Sequence, residues 1–300
     1  MKGSRNMNIN NWLSILVAAG ILATPAMAPC AAPAAKQTKQ AAVGTKPPKT
    51  DYSFLNGKTG TTNASVFSEE KLTAAINHKL GSRITKFIYT DTMNSCLSML
   101  KSDRADFMLT SDVSAAYIIQ RNPELKSVIL TDNNGLAMIL RVSDIALRDK
   151  LNSAIKKLKA SGELAGLYKK WISDLPVGRE PIMPRIEKTS YPETIYAGVS
   201  GDMPPLDYVA ADGRPAGYNV ALLTEISKII GKNIEVISID APARFAALQS
   251  KKIDVFFWQR VPDKAEKDKL KNDAGVQAFY KKIAVTEPYC VVKTVFLLKK

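Results

Sequence analysis

The chain has 300 residues, 46% of them apolar and 23% charged. That balance suits a folded protein and excludes a largely disordered chain or a polytopic membrane protein. The formal charge is +14, but six basic residues (Lys2, Arg5, Lys36, Lys39, Lys46 and Lys49) lie in residues 1–50, which hold no acidic residue, and +8 remains for the rest. No run of Lys and Arg interleaved with aromatics occurs, so the excess charge speaks for solubility and non-specific contacts, not for nucleic-acid binding.

The first segment reads as an address. Lys2 and Arg5 precede an apolar run from Trp12 to Ala23, and Ala26-Met27-Ala28 offers a small-residue cleavage site. A basic start, a short apolar core and such a site make a secretory signal peptide over residues 1–28, too short in its apolar run to span a bilayer comfortably. Cys30 raises a lipid anchor as an alternative, although Met27 and Pro29 stand where a lipobox carries Leu and a small residue. Residues 29–50, rich in Ala, Pro, Lys, Gln and Thr, read as a flexible linker. With export, Cys96 and Cys290 can be a disulfide pair or two buried thiols.

From residue 51, strand and helix signals alternate. Residues 64–80 read as a helix, Arg83–Thr90 as a strand, 93–102 as a helix, Ala105–Thr110 as a buried strand and 112–121 as a helix. Ser127–Thr131 and Gly135–Val142 read as two strands. Leu147, Leu151, Ile155 and Leu158 recur at helical spacing; Ser161-Gly162 breaks that helix, and another carries Leu164, Leu167, Tyr168 and Trp171. From Asp174 to Glu193, Pro176, Pro181, Pro184 and Pro192 leave no room for a regular element. Then come a strand (Ile195–Val199), a Gly/Pro/Asp-rich stretch to Gly217, a helix with its apolar face on Val220, Leu222, Leu223, Ile226, Ile229 and Ile230, a strand (Ile234–Ile239), a helix (242–250) and a buried strand (Ile253–Trp258). Residues 262–273 read as charged surface, and Val291–Leu298 as a last strand. Alternating strands and helices predict an α/β protein with mostly parallel sheets. Leu100-Lys-Ser-Asp-Arg-Ala-Asp106-Phe-Met108 echoes Leu248-Gln-Ser-Lys-Lys-Ile-Asp254-Val-Phe256, 148 residues on. This reads either as an internal repeat or as generic α/β grammar.

Most enzyme signatures are missing. A Ser-His-Asp triad would need the single histidine, His78, which also excludes a multi-histidine metal site. Gly57-Lys58-Thr59 mimics the end of a phosphate loop, but Tyr52 stands where that motif needs its first glycine.

The stretch Gly198-Val-Ser-Gly-Asp-Met-Pro-Pro-Leu-Asp-Tyr208, then Asp212-Gly213, Gly217-Tyr-Asn-Val220, Arg244 to Asp254 and Thr286-Glu-Pro-Tyr289, resembles the N-terminal half of periplasmic solute-binding proteins of the amino-acid ABC transporter family (bacterial extracellular solute-binding proteins, family 3). Gly60-Thr-Thr62, Arg104-Ala-Asp106-Phe-Met, Ala116-Tyr117, Asn122-Pro123, Leu147 to Ile155 and Leu167-Tyr-Lys-Lys-Trp171 resemble the C-terminal half. The resemblance implies a two-lobed periplasmic-binding-protein-like α/β fold of type II. The halves occur in reverse order, so it also implies a circular permutation, with 174–193 joining the old ends. One lobe is expected over 51–135, completed by 290–300, and the other over 136–289. Strands near 134–142 and 290–298 would form the hinge.

The implied function is capture of an amino acid or similar small polar solute in the cleft, as a periplasmic monomer serving an ABC permease. No catalytic residue, cofactor or metal is implied. Two alternatives are a sensory or scaffold homologue without a transport role and a cyclohexadienyl-dehydratase-like enzyme. By the resemblance, the ligand-binding candidates are Thr61 and Thr62 at a helix start, Ser111 and Asp112 after a strand, Ser200, Asp202 and Met203 after another, Trp258, and Arg260 as substitute for the family's carboxylate-binding Arg.

Overall fold

The computed structural model describes residues 51–63, 68–178, 180–184, 186, 188–260 and 274–300. The signal peptide, the linker with Cys30 and the charged stretch 262–273 lie outside the described residues. Twelve strands are described: β1 (Thr59–Asn63), β2 (Lys86–Thr90), β3 (Phe107–Ser111), β4 (Leu125–Arg141), β5 (Thr194–Val199), β6 (Asp202–Met203), β7 (Asp207–Val209), β8 (Pro215–Ala216), β9 (Asn233–Ser238), β10 (Val255–Arg260), β11 (Ile283–Val285) and β12 (Cys290–Lys299). The helices are α1 (Glu69–Leu80), α2 (Met93–Lys101), α3 (Asp112–Arg121), α4 (Ile145–Ala160), α5 (Glu163–Tyr168), α6 (Tyr218–Ile230), α7 (Arg244–Gln249) and α8 (Ala274–Tyr280). No helix among the described residues is long and apolar enough to cross a membrane.

Two parallel blocks carry the architecture. In the first, β1 lies between β2 and β3; in the second, β5 lies between β9 and β10. Both hang on one antiparallel pair, β4 and β12. Lys299 pairs with Leu125 at one end and Cys290 with Leu136 at the other. β12 also pairs with β3, and β4 with β10 and β11, so a single sheet path runs through both blocks. The register of the pair is irregular on either side of Thr294. The cores are likewise divided. Phe87, Phe107 and Phe296 meet in edge-on contacts in the first block, while Trp171, Tyr218, Phe257 and Tyr289 anchor the second. Burial on both faces explains the nearly continuous apolar strands.

The sequence echo is a structural repeat. Asp106 and Asp254 each open a strand, and the backbone amide of each donates to the central strand, to the Thr59 and Tyr196 carbonyls at 2.8 and 2.7 Å. Each carboxylate accepts the amide of the same residue back, at 2.8 and 3.0 Å. The turn residues Asp103 and Lys251 both take the left-handed conformation, with φ of 60° and 62°.

Two expectations are corrected. Residues 59–63 form a central strand, and the following helix begins at Glu69, capped by Ser68. Gly60 is there for closeness: a Cβ would come within 2.7 Å of the Phe87 and 2.5 Å of the Phe107 ring. The stretches 127–131 and 135–142 are one strand, β4. Asn133-Asn134-Gly135 has the composition of a turn, but Gly135 is needed because a Cβ would stand 2.9 Å from Pro288. Of the two alternatives for Cys96 and Cys290, the structure has the buried thiols, with no disulfide between them. The connector carries no helix or strand among its described residues, and Met183 within it packs into the second block's core.

Candidate functional site

The loop after β5 is set by one buried carboxylate. Asp207 is fully buried, and its Oδ1 accepts from Ser200 N (2.9 Å), Ser200 Oγ (2.5 Å) and Gly201 N (2.9 Å). Its Oδ2 accepts from Asn219 Nδ2 at the start of α6 (2.8 Å). Four donors on one carboxylate hold residues 200–203 at the C-terminal end of a parallel sheet, where open α/β sheets gather ligands. The loop reaches the other block. Asp202 Oδ2 accepts the Met93 amide at the start of α2 (3.0 Å), and Met203 packs against the cluster of Met93 and Cys96. Burial pushes the Cys96 thiol up, and the nearby Asp202 charge adds to that.

Arg244 opens α7 on the same side. It is 8% exposed, and its Nε reaches the Ile239 carbonyl at 3.5 Å. Burial lowers its pKa, while the charges of Asp207 and Asp202 act in the opposite sense.

On the first block's side, Thr61 and Thr62 lie within β1, not at a helix start. The Thr61 hydroxyl donates to the Ile88 carbonyl and that of Thr62 to the Leu109 carbonyl, both at 3.0 Å. Ser111 caps α3 by accepting the Ser114 amide at 3.2 Å. Asp112 Oδ1 accepts the Val113 and Lys293 amides, each at 2.9 Å. It thereby ties α3 to β12 beside the irregular register. Burial pushes the Asp112 carboxyl up, and these two amides offset part of that. Trp258 and Arg260 lie on β10, with Arg260 opposite Leu136; their side chains lie outside the described residues.

Beside this seam is a cavity of about 230 Å³, lined by Asp112, Val113, Tyr117, Tyr168, Ile172 and Pro205 among others. Its neighbour is a bridge from the connector. Glu180 Oε1 accepts from Arg121 Nη2 (2.5 Å) and from the Tyr117 hydroxyl (3.1 Å), and the Arg121 guanidinium stacks 3.6 Å from the Tyr117 ring centre. Burial, with the charges of Glu180 and Tyr117 nearby, pushes the Tyr208 hydroxyl up to about 12.

The structure thus brings Asp202 and Met203 against α2, holds Ser200 on Asp207, and places Ser111 and Asp112 on the first block. Sequence reasoning missed Asp207 and Arg244. The available signal for Arg244 was a lone cation at the start of the otherwise apolar Phe245-Ala-Ala-Leu248.

Comparison with known proteins points the same way. Residues 42–174 and 195–273 match the family model for bacterial extracellular solute-binding proteins, family 3. The arginine-binding extracellular protein ArtP of Bacillus subtilis is 35% identical over 78 residues, 25% of this chain; the match spans only 30% of that relative's length. Among solved structures, the ligand-binding component of an ABC-type import system from Staphylococcus aureus aligns over 81% of this chain and 65% of its own, with a TM-score of 0.43 and 12% identity. A putative L-cystine ABC transporter protein from Listeria monocytogenes aligns over 81% of each chain, with a TM-score of 0.38 and 14% identity.

Proposed function

The chain belongs to the bacterial extracellular solute-binding proteins, family 3, and on that footing we propose that it captures an amino acid or similar small polar solute between its two blocks, outside the cytoplasmic membrane, for an ABC permease. The family is one of binding proteins, and no catalytic step is assigned. The observation that carries the reading is the loop 200–203. It stands at the strand ends of one block, fixed by Asp207, and closes on α2 of the other through Asp202 and Met203. A solute held there bridges both blocks, and its binding couples to hinge motion about β4 and β12.

In this reading the lobes are 51–135 with 290–300, and 136–289. The chain is a circular permutant whose join is the connector 174–193, and residues 1–50 direct export, with Cys30 as the site of any lipid anchor. Two features support permutation. Residues 57–172 resemble the family's later half and 195–289 its earlier half, and Tyr52 lies edge-on to Phe296, ring centres 6.3 Å apart, beside the last described strand.

One observation favours a second reading, a sensory or scaffold homologue: the hydroxyls of Thr61, Thr62 and Ser200 are already spent on protein acceptors. Thermal unfolding of the purified protein against amino acids, di-acids and polyamines separates the two. A solute at a hundred times its Kd adds about 2.7 kcal/mol, a shift of roughly 5–10 °C. One such shift supports capture; a flat panel favours the sensory reading.

A further inference from the structure

Between Leu175 and Met183 the connector leaves the block that holds both of its ends. Leu175 is buried, Met183 and Ile186 pack with the second block's core, and Thr189 and Tyr191 are tied to Asn233 at the start of β9. Within the excursion Val177 and Ile182 are exposed, and among the described residues its hydrogen bonds to the rest of the protein are the two on Glu180. Both come from α3, which rides on the first block. Arg121 Nη2 and the Tyr117 hydroxyl donate to Glu180 Oε1 at 2.5 and 3.1 Å.

The carboxylate meets a prepared partner. Arg121 ends α3, where a cation suits the helix dipole; its Nη1 donates to the Tyr117 carbonyl at 3.1 Å, and its guanidinium lies 3.6 Å from the Tyr117 ring centre. The fork is thus oriented by α3 itself. The second block stands close by: the Tyr208 hydroxyl on β7, buried and without a hydrogen bond among the described residues, feels the charges of Glu180, Tyr117 and Arg121. The contact also sits at the end of a lever. The first turn of α3 lies at the seam, with Val113 in the second block's core cluster and Asp112 on the Lys293 amide beside the irregular register of β4 and β12. Arg121 is nine residues further along the helix, about 13 Å at 1.5 Å per residue, so a rotation of about 10° at the seam carries it roughly 2 Å, enough to break a hydrogen bond.

We propose that the connector is a strap and Glu180 its clasp: anchored at both ends in the second block, the connector holds the first block by Arg121 and Tyr117 and biases the protein toward the closed arrangement. Closure then has two separate hydrogen-bonded points, this one and the bond from the Met93 amide to Asp202 at the loop 200–203. Releasing either makes the other easier to open. The clasp operates without a solute, so it goes beyond the reading of solute capture, and it sets how much of the empty protein stands open for a solute to enter.

Hydrogen exchange of the Met93 amide, read by mass spectrometry in short peptic peptides of the purified full chain, tests this with no ligand present. Met93 opens α2, so its amide has no acceptor within the helix and is protected by Asp202 across the seam. Glu180→Gln should raise its exchange rate by about 3- to 10-fold near neutral pH, the range open to a partly exposed charged pair. Arg121→Gln should do the same, and the double variant should be no faster than either single one, because both remove one contact. Far-UV circular dichroism establishes that each variant folds; if Arg121→Gln loses helix, Glu180→Ala, which leaves α3 untouched, takes its place beside Glu180→Gln. A contact that only braces the connector gives a different pattern: exchange quickens within 112–121 and 175–184 while Met93 exchanges as in wild type. That pattern overturns the clasp, and so does a double variant in which the two single effects add. Either failure leaves solute capture standing, and a protein that takes up no solute leaves the clasp standing.

Discussion

Asp207→Ala is the substitution expected to do most damage for the fewest atoms removed. The carboxylate is fully buried and accepts two backbone amides, one hydroxyl and one side-chain amide. The Ser200 hydroxyl can rotate to another acceptor. The Ser200 and Gly201 amides and Asn219 Nδ2 cannot follow the carboxylate out. At about 1–3 kcal/mol for each buried donor left unmade, softened by water entry, the loss is about 4 kcal/mol, or roughly 8–16 °C in Tm. Asp207→Asn behaves differently for a reason visible in the structure. One face of the new amide still accepts from Ser200 and Gly201, while the other would set a donor against Asn219 Nδ2. Asn219 Oδ1 is buried and has no partner among the described residues, so turning the Asn219 amide over restores the hydrogen bond. The cost then falls to about 1–2 kcal/mol, mostly from trading charged for neutral hydrogen bonds. Urea melts of the three proteins at one pH read these differences. An Ala variant within 1 kcal/mol of wild type, or an Asn variant as damaged as the Ala variant, refutes the reasoning.

Other outcomes follow from single contacts. Gly60→Ala forces a methyl against the Phe87 and Phe107 rings and should lower stability by about 1–3 kcal/mol in a chemical melt. Asp112→Ala strands the Val113 and Lys293 amides, at about 2–3 kcal/mol, while Asp112→Asn keeps an acceptor for both. Because burial raises the Asp112 carboxyl, its contribution to stability is largest below its ordinary value of 3.8 and is lost as pH rises through the raised folded value. The Asn variant should therefore match wild type in acid and equal or exceed it in Tm at neutral pH. Glu180 is the opposite case. Burial alone would raise it, but hydrogen bonds from its own backbone, Tyr117 and Arg121, with the Arg121 charge, outweigh burial and hold it below 4.5. Its stabilisation is present above 4.5 and is lost as pH falls through the lowered folded value. Partial exposure limits it to about 1 kcal/mol, which Glu180→Gln should remove at neutral pH.

The alternation of strands and helices was legible because two-sided burial writes apolar runs and helix faces write a 3.6-residue period. What failed were glycines. Gly60 was read at a helix start and Gly135 as the first residue of a separate strand, when each is a place where two rings or a proline ring press on the backbone. A single chain position cannot distinguish conformational freedom from lack of space, because the pressing atoms lie 47 residues away for Phe107 and 153 for Pro288. The loops after β5 and after β3 were legible as elements, but the contacts their side chains make were not. Thr61, Thr62 and Ser200 have the right atoms, and their donors go to carbonyls and to Asp207 instead. Arg244 was overlooked because in sequence it is one cation on a helix, and only the fold reveals that it is buried with no ion pair among the described residues.

Native mass spectrometry of the purified protein, with and without the amino-acid panel, tests the central claim most directly. The account predicts a single chain carrying one solute of amino-acid mass, lost on denaturation and restored when the solute is added back. A chain that takes up no member of the panel contradicts solute capture, and a protein found only as a dimer contradicts the permuted monomer.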